Sequence, residues 1–337
     1  MKILYLSCHA ILEYDEVKLL TELGHEVHSF GAYRDPRGAY TLPRPGIPGM
    51  AYDEDFFNLT GIHPKTNLPP ELIEPYDAII IMSGENESAL ISNWDKIKHK
   101  RVILRTIGQS TPSTEYAVKR MRTEGLQIIR YSPKEQNIPN YVGGDAVIRF
   151  YKDPDEFTQW NGDETRPVTF AQSLKGRGRF VHYDEIMGAM VGFEGAKVYG
   201  PGNNDLGIFN GGDMPFDELK KILRNARCYV YGGTWPASYT LSFMEALMTG
   251  IPMVAVSKRI AHITDLQQFD FYEVEDILAD GGIMTCDSVD KMREMIEGYL
   301  KYPELATECS IQARKLAIKY FGKDAIKEQW RQFLDQK

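Results

Sequence analysis

Apolar and polar residues follow two different periodicities along this chain. Short runs rich in β-branched residues alternate with stretches in which apolar residues recur at helical spacing. In the first half the pattern predicts strands at 2–7, 26–30, 77–82, 101–106, 127–131 and 146–150, and helices at 13–23, 87–98 and 113–124. In the second half it predicts strands at 168–172, 197–199, 228–231, 253–256 and 283–285, and helices at 180–190, 215–224, 239–248 and 289–299. A helical pattern over 304–333 breaks near 320–323.

This alternation predicts an α/β fold with parallel sheets. The 337 residues suffice for two doubly wound domains. The second series starts after a polar stretch at 153–166, and a hinge is expected near residues 150–167. Ligands of such domains bind at the carboxyl ends of the strands. Residues 32–75 differ from the rest of the chain in composition, because they hold eight of its 18 prolines. They predict a loop-rich binding or lid insertion, with disorder as the alternative.

Composition and charge narrow the class of protein. Hydrophobic residues make up 43% and charged residues 26%, which is typical of a globular protein. No apolar run approaches the ~18 residues of a membrane-spanning helix. The formal net charge of −8 gives no global attraction to nucleic acid. The four scattered cysteines favour neither disulfides nor a zinc site, so we expect a cytoplasmic protein. The apolar start, followed at once by acidic residues, predicts a strand rather than a signal peptide.

Residues 236–252 carry the most informative pattern. Ser238 or Thr240 can cap a helix, and Gly250 and Pro252 end it. A helix that begins at the end of a parallel strand presents free backbone N–H groups, which suit a phosphate. Glu245, one to two turns into the helix, can accept hydrogen bonds from the hydroxyls of a sugar. The alternative is a buried amphipathic helix, which has the same spacing and whose glutamate only makes hydrogen bonds within the protein.

The same segment resembles the donor-site motif of retaining nucleotide-sugar glycosyltransferases of the GT-B fold, group 1 type. In that motif two glutamates flank seven residues, and a Gly-x-Pro turn follows; here Glu245 and Gly250-Ile251-Pro252 match. Three further segments support the resemblance, namely residues 19–27, residues 225–230 and the C-terminal helix around Trp330. The resemblance implies that Glu245 holds the ribose. It also implies that Ala237 replaces the glutamate that touches the donor sugar.

The resemblance implies a binding site for the donor diphosphate. The backbone amides of Tyr239, Thr240 and Leu241 match those that hold it. In the segment 170–180, Ser173 replaces the family arginine and Gly178 the family lysine. Three cations surround these positions and can wrap a diphosphate, although a solvated basic turn is the alternative: they are Lys175, Arg177 and Arg179.

Other positions are assigned to the nucleoside and to the reacting sugar. The resemblance implies that the glycine turns at the strand ends, with Gly200, Gly212 and Met214, contact the nucleoside. A family histidine beside the reacting sugar matches Gly108, so the neighbouring Gln109 is a candidate catalytic residue. His9, after the first strand, is a second candidate and has a structural role as its alternative.

Together these features predict two Rossmann-like domains that face a cleft. Residues 1–155 would bind the acceptor, 156–315 the nucleotide sugar, and helix 316–337 would return to the N-terminal domain. The resemblance implies sugar transfer from a nucleoside diphosphate to a hydroxyl, with retention. It implies no cofactor and no metal, and a UDP-sugar is the expected donor. The acidic turns at 53–55 and 153–155 are expected to be solvated.

Two alternatives remain open. One is an inactive nucleotide-sugar-binding homologue, suggested by Ser173, Ala237 and Gly108. The other is transfer to a modified DNA base, which would need a basic groove. The candidate residues for that groove are Arg34, Arg37, Arg44, Lys98, Lys100 and Arg101. The sequence fixes neither the acceptor nor the oligomeric state.

Overall fold

The structure is a computed structural model that describes residues 1–29, 47, 68–84, 87–108, 110–157, 159–263, 265–266 and 269–336. Most of the loop-rich insertion therefore lies outside the described residues. So do Gln109, the acidic turn 53–55 and three of the basic-groove candidates, namely Arg34, Arg37 and Arg44. The chain forms two compact units, one of Met1–Tyr151 with Asp324–Lys337 and the other of Lys152–Lys323. We predicted boundaries at 155/156 and 315/316.

The first unit contains a six-stranded parallel sheet in the order β2-β1-β3-β4-β5-β6. Its strands are β1 (Lys2–Leu6), β2 (Glu26–Ser29), β3 (Ala78–Met82), β4 (Arg101–Arg105), β5 (Gln127–Arg130) and β6 (Ala146–Val147). Its helices are α1 (Ala10–Glu22), α2 (Pro70–Ile73), α3 (Glu87–Ile97) and α4 (Pro112–Thr123), with a 3-10 helix at Pro133–Asn137. Every residue of β3 is buried, as expected for a central strand covered on both faces.

The second unit contains a five-stranded parallel sheet in the order β11-β10-β7-β8-β9. Its strands are β7 (Glu164–Phe170), β8 (Lys197–Tyr199), β9 (Asn210–Gly212), β10 (Ala226–Tyr231) and β11 (Met253–Ala255). Its helices are α5 (Leu174–Arg177), α6 (Tyr183–Met190), α7 (Phe216–Asn225), α8 (Leu241–Thr249), α9 (Lys258–Ala261), α10 (Val274–Asp280), α11 (Val289–Lys301) and α12 (Pro303–Phe321). Two 3-10 helices lie at Gly178–Val181 and Asn204–Phe209.

The last helix, α13 (Lys323–Asp335), belongs to the first unit from Asp324 onward. Trp330 on this helix is fully buried. The guanidinium of Arg101 on β4 donates hydrogen bonds of 2.9 and 2.8 Å to the carbonyls of Phe333 and Leu334. These contacts cap the end of α13 and attach it to the first sheet.

Two sequence predictions were wrong. Residues 283–285 form no strand, because the glycines after α10 begin a turn and only Cys286 makes an isolated bridge, to Val256. The fifth strand of this sheet is β9, whose Asn-Gly-Gly sequence has no apolar pattern. The predicted helix 180–190 is interrupted at His182, whose φ of 57° lies in the left-handed region. Among the helices in the described ranges, none combines the length and apolar character that a membrane crossing requires.

The first unit buries an arginine in its core. Arg105 at the end of β4 lies 2.8 Å from Glu16 of α1, and both side chains are essentially inaccessible to solvent. The hydroxyl of Tyr5 donates to the other oxygen of Glu16. The guanidinium also lies 4.0 Å from the centre of the Phe150 ring. A buried cation is stable only with such a partner, so these contacts give Arg105 a structural role.

A second buried group of charges lies beside β5. Arg130 donates to both oxygens of Glu115, at 2.6 and 2.9 Å. Nearby, Glu135 accepts hydrogen bonds of 2.7 Å from the hydroxyls of Thr106 and Ser110. Burial raises the pKa of Glu135, and the neighbouring Arg130 opposes that shift. These contacts fix both ends of the loop 106–110 that follows β4.

Candidate functional site

The strand order of the second sheet indicates where its ligand binds. Strands β7, β8 and β9 follow one another in one direction, whereas β10 and β11 lie on the other side of β7. The order therefore reverses between β7 and β10. In open parallel sheets ligands bind outside the carboxyl ends of the strands at such a reversal. Here the basic segment follows β7 and helix α8 follows β10, so both predicted donor-binding segments emerge at this point.

The loop after β7 is held by a buried asparagine. Asn203 accepts a 2.8 Å hydrogen bond from the backbone N–H of Leu174 and donates 2.6 and 2.9 Å hydrogen bonds to the carbonyls of Ala171 and Gly200. Gly200 has a φ of +126°, and a Cβ atom there would lie 2.7 Å from the carbonyl oxygen of Ala171. Ser173 turns the chain with a φ of 45°. The backbone of this loop is therefore fixed before a ligand binds.

The three cations of the basic segment differ in their partners. Arg179 forms a 2.8 Å ion pair with Asp265 and is largely exposed. Arg177 is half-buried, and burial lowers its pKa. Across the described ranges, no carboxylate lies within ion-pair distance of Arg177 or of the exposed Lys175. Because a partly desolvated cation is unfavourable without an anion, Arg177 is the residue here that most needs one.

The start of α8 lacks a side-chain cap. Thr240 occupies the N-cap position with extended backbone, yet its side chain accepts no hydrogen bond from the helix. Its hydroxyl instead lies 3.1 Å from the hydroxyl of Tyr231 and 3.0 Å from that of Ser242. The three residues whose backbone amides were predicted to bind the diphosphate lie in sequence here. Thr240 is the N-cap of α8 and Leu241 is its first helical residue. Tyr239 precedes them, and its ring is buried. Uncapped N–H groups at a helix start can bind an anion.

Glu245 lies one turn into α8 and is almost buried. Its Oε1 lies 3.1 Å from Nζ of Lys152, whose side chain is only 1% exposed. Lys152 is the first residue of the second unit, and sequence reasoning missed it. The ammonium group of Lys152 supplies the positive charge that burial of the carboxylate requires.

The predicted nucleoside residues lie together. The N–H of Gly200 donates a 2.9 Å hydrogen bond to the carbonyl of Gly212, which joins the ends of β8 and β9. A Cβ atom on Gly212 would lie 3.2 Å from the methyl group of Met214. The three residues therefore form one small surface beside the fixed loop after β7.

In the first unit, His9 serves as the N-cap of α1. Its Nδ1 accepts a 3.5 Å hydrogen bond from the N–H of Leu12. This contact gives the imidazole a structural role, and catalysis by His9 stays a prediction. Gly108 lies in the loop whose ends are fixed by Glu135, and the other candidate, Gln109, is outside the described residues.

The described members of the proposed basic groove are already engaged. Lys98 pairs with Asp95 and Glu124, Lys100 pairs with Glu74, and Arg101 binds the end of α13. These three side chains therefore offer little free positive charge to DNA. Within the part of the chain that the structure describes, no group of three or more His, Cys, Asp or Glu side chains could hold a metal ion.

Sequence reasoning also missed a pocket beside the basic segment. The pocket has a volume of about 380 Å³ and is lined by residues that follow β7, β10 and β11, among them His182, Trp235, Ala237 and Lys258. The paired cations Lys258 and Arg259 directly after a strand were the available sequence signal.

No family model matches the chain, and no curated protein matches it either. Solved structures, in contrast, do match the chain. Sucrose-phosphate synthase from Thermosynechococcus elongatus has a TM-score of 0.70 and 14% identity, over 100% of this chain and 98% of that chain. HepE from Anabaena, in complex with UDP and glucose, has a TM-score of 0.71 and 12% identity over all of both chains. An alpha-glucosyltransferase, in complex with UDP and a 13-mer DNA containing a HMU base, has a TM-score of 0.61 and 10% identity over all of both chains.

These identities establish the fold and nothing finer. The two parallel-stranded α/β units and the full-length likeness agree with the fold class expected from the sequence. The chain therefore has the GT-B fold of glycosyltransferases.

Proposed function

We propose that this protein is a glycosyltransferase whose second unit binds a nucleoside-diphosphate sugar. The observation that carries the proposal is Arg177, a half-buried cation without an ion-pair partner among the described residues, placed where the sheet order reverses. Lys175 and the uncapped start of α8 lie on segments that emerge at the same edge. Backbone N–H groups and cations together are the recognition chemistry of a diphosphate.

The donor is proposed to be a UDP-sugar. Support comes from the GT-B fold and from the structural neighbours, since HepE has been solved with UDP and with UDP-glucose. Gly200, Gly212 and Met214 are proposed to contact the nucleoside. Glu245, in an ion pair with Lys152, is proposed to accept a hydrogen bond from a ribose hydroxyl.

The residues of the second unit suit stabilisation of a leaving diphosphate. Negative charge grows on the phosphate oxygen as the bond to the sugar breaks, and preorganised cations and N–H groups lower the energy of that state. We propose that Lys175, Arg177 and the start of α8 supply this stabilisation without a metal. We further propose that transfer retains the anomeric configuration and that the departing phosphate helps to deprotonate the acceptor hydroxyl.

The proposal is tested by incubating the purified protein with UDP-, GDP-, ADP- and TDP-glucose and measuring release of each nucleoside diphosphate. Slow hydrolysis of the donor is expected for the UDP-sugar even without an acceptor. EDTA should leave the rate unchanged, and the NMR coupling constant of the first-formed sugar should show the donor's anomeric configuration.

Three results would change the proposal. Loss of all turnover on chelation, restored by magnesium or manganese, would contradict the metal-independent mechanism. Tight UDP binding without turnover in a wide acceptor screen would favour an inactive homologue. Absence of binding to all four nucleoside diphosphates would overturn the proposal itself.

A further inference from the structure

The pocket beside the basic segment combines an apolar wall with a few polar groups. Trp235, Pro236 and Ala237 of the loop after β10 form one side, and Phe271 and Tyr272 form another. Its volume of about 380 Å³ is within the range of small-molecule sites. Flat aromatic and aliphatic walls of this kind fit the ring of a sugar. The pocket lies wholly within the second unit.

Two side chains on the wall, His182 and Trp235, have ring nitrogens that are shielded from solvent. His182 is only 4% exposed, and its ring nitrogens lie beside the backbone of Ile260, Gly232 and Ala261 without a hydrogen bond of good geometry. The indole N–H of Trp235 has no hydrogen-bond partner among the described residues. Burial lowers the pKa of His182, and the nearby backbone of Gly232 and Ala261 opposes the shift only in part.

The charges at the pocket are mainly positive. Lys258 and Arg259 of α9 line it and are exposed, and no described carboxylate forms an ion pair with either of them. The guanidinium of Arg259 donates to the carbonyl of Asp287 and so stays in place. Asp270 is the one carboxylate among the lining residues, and it accepts a 3.2 Å hydrogen bond from the N–H of Tyr272. Ala237 contributes only a methyl group, so an anion would meet no repulsion there.

The pocket adjoins the proposed diphosphate site through two backbone hydrogen bonds. The N–H of Trp235 donates to the carbonyl of Phe180 at 2.8 Å, and the N–H of His182 donates to the carbonyl of Arg179 at 3.3 Å. The Phe180 and Trp235 rings also pack together, with centroids 5.7 Å apart. The wall residues 235–237 lead directly into the start of α8. The pocket wall is therefore continuous with the segments that are proposed to hold the diphosphate.

We propose that the pocket receives the transferred sugar and that this sugar carries a carboxylate. The inference rests on the proposed function and specifies the donor as a nucleoside-diphosphate hexuronate. Lys258 binds the carboxylate, since its ammonium group has no other described ion-pair partner. The aromatic wall packs on the sugar ring.

The test uses a matched pair of ligands, because UDP-glucuronate and UDP-glucose differ only in a carboxylate against a hydroxymethyl group. Calorimetry on the wild-type protein should give at least about tenfold tighter binding of UDP-glucuronate. Lys258→Gln should remove most of that preference and leave the affinity for UDP unchanged. Lys291→Gln, in an exposed pair with Glu294 on α11, is the control and should keep the preference.

The outcomes separate this inference from the proposed function. Binding of UDP together with equal or tighter binding of UDP-glucose would overturn the inference and leave the proposed function standing. A glucuronate preference that survives in Lys258→Gln would overturn the assignment of the carboxylate to this pocket. Absence of UDP binding in the wild type would overturn the proposed UDP donor and the inference with it, and absence of binding to GDP, ADP and TDP as well would overturn the proposed function.

Discussion

Two buried arginines of the first unit and one half-buried arginine of the second unit differ in their partners. In the first unit, Arg105 and Arg130 are buried and each lies against a buried carboxylate, at 2.8 Å from Glu16 and 2.6 Å from Glu115. In the second unit, Arg177 is half-buried at the edge of the sheet and meets no described carboxylate. Both kinds of cation follow or end a parallel strand, so their place in the fold does not distinguish them.

The presence or absence of a counter-charge distinguishes them. A buried cation with a carboxylate is fully accounted for by folding, and its removal damages stability. A half-buried cation without one costs the folded protein free energy, and a bound anion would repay that cost. The contrast assigns Arg105 and Arg130 to the structure of the first unit and Arg177 to the ligand of the second. Each prediction below changes one side of this contrast.

The largest effect is expected for Arg105→Met. This change leaves Glu16 buried without its cation, and we expect a loss of about 3–5 kcal/mol in the free energy of unfolding of the first unit. Urea unfolding followed by circular dichroism measures the loss. Arg120→Gln, which removes an exposed pair with Glu124, is the control and should change little. A stable Arg105→Met protein would show that this buried pair is dispensable. The Arg105→Met variant should bind UDP with the same affinity as the wild type.

A smaller effect is expected for Glu245→Gln, which should act on both stability and binding. Removal of the charge leaves the buried Lys152 without its carboxylate and should cost about 3 kcal/mol of stability. Loss of the charged acceptor should also weaken UDP binding by ~1.5–3 kcal/mol. The double change Lys152→Met with Glu245→Gln should recover stability and not affinity. If the double variant recovers both, Glu245 has only a structural role.

The smallest effect concerns pH. Burial lowers the pKa of His182 below its ordinary value of about 6.5, so the folded protein binds fewer protons than the unfolded chain as the solution is acidified. Stability contributed by neutral His182 is therefore present above the unfolded pKa and is lost as pH falls from there through the lower folded pKa. His182→Asn, a residue that tolerates the φ of 57°, should flatten the decline of the thermal midpoint from pH 7.5 to 5.5. His99→Asn, at an exposed position, should keep the wild-type slope.

The sequence predicted most of the sheets because apolar runs and glycine stops are local. The strand at 197–199 matches β8, and the break predicted near 320–323 separates α12 from α13. Strand β9 was missed because Asn210–Gly212 joins the sheet through backbone hydrogen bonds alone. The interruption at His182 was missed because the left-handed region is unusual for a residue other than glycine or asparagine.

The sequence predicted the types of residue that form the site, but it did not distinguish between similar residues in the same segment. A basic segment was expected, but Arg179 was as strong a candidate as Arg177. The difference between them comes from Asp265, which lies 86 residues further along the chain. Lys152, the partner of Glu245, is likewise distant in sequence. Long-range ion pairs decide which charges are left for a ligand, and one sequence does not show them.

Isothermal titration calorimetry of UDP and uridine against the wild type, Arg177→Gln and Arg179→Gln tests the contrast between paired and unpaired cations. We expect the wild type to bind UDP far more tightly than uridine. Arg177→Gln should weaken UDP binding by ~1.5–3 kcal/mol, leave uridine binding unchanged, and raise the thermal stability of the ligand-free protein slightly, since an unpaired, partly desolvated charge is removed. Arg179→Gln should lose less, since Asp265 already neutralises that arginine. Unchanged UDP affinity in Arg177→Gln, or equal losses for UDP and uridine, would contradict the assignment of Arg177 to the diphosphate.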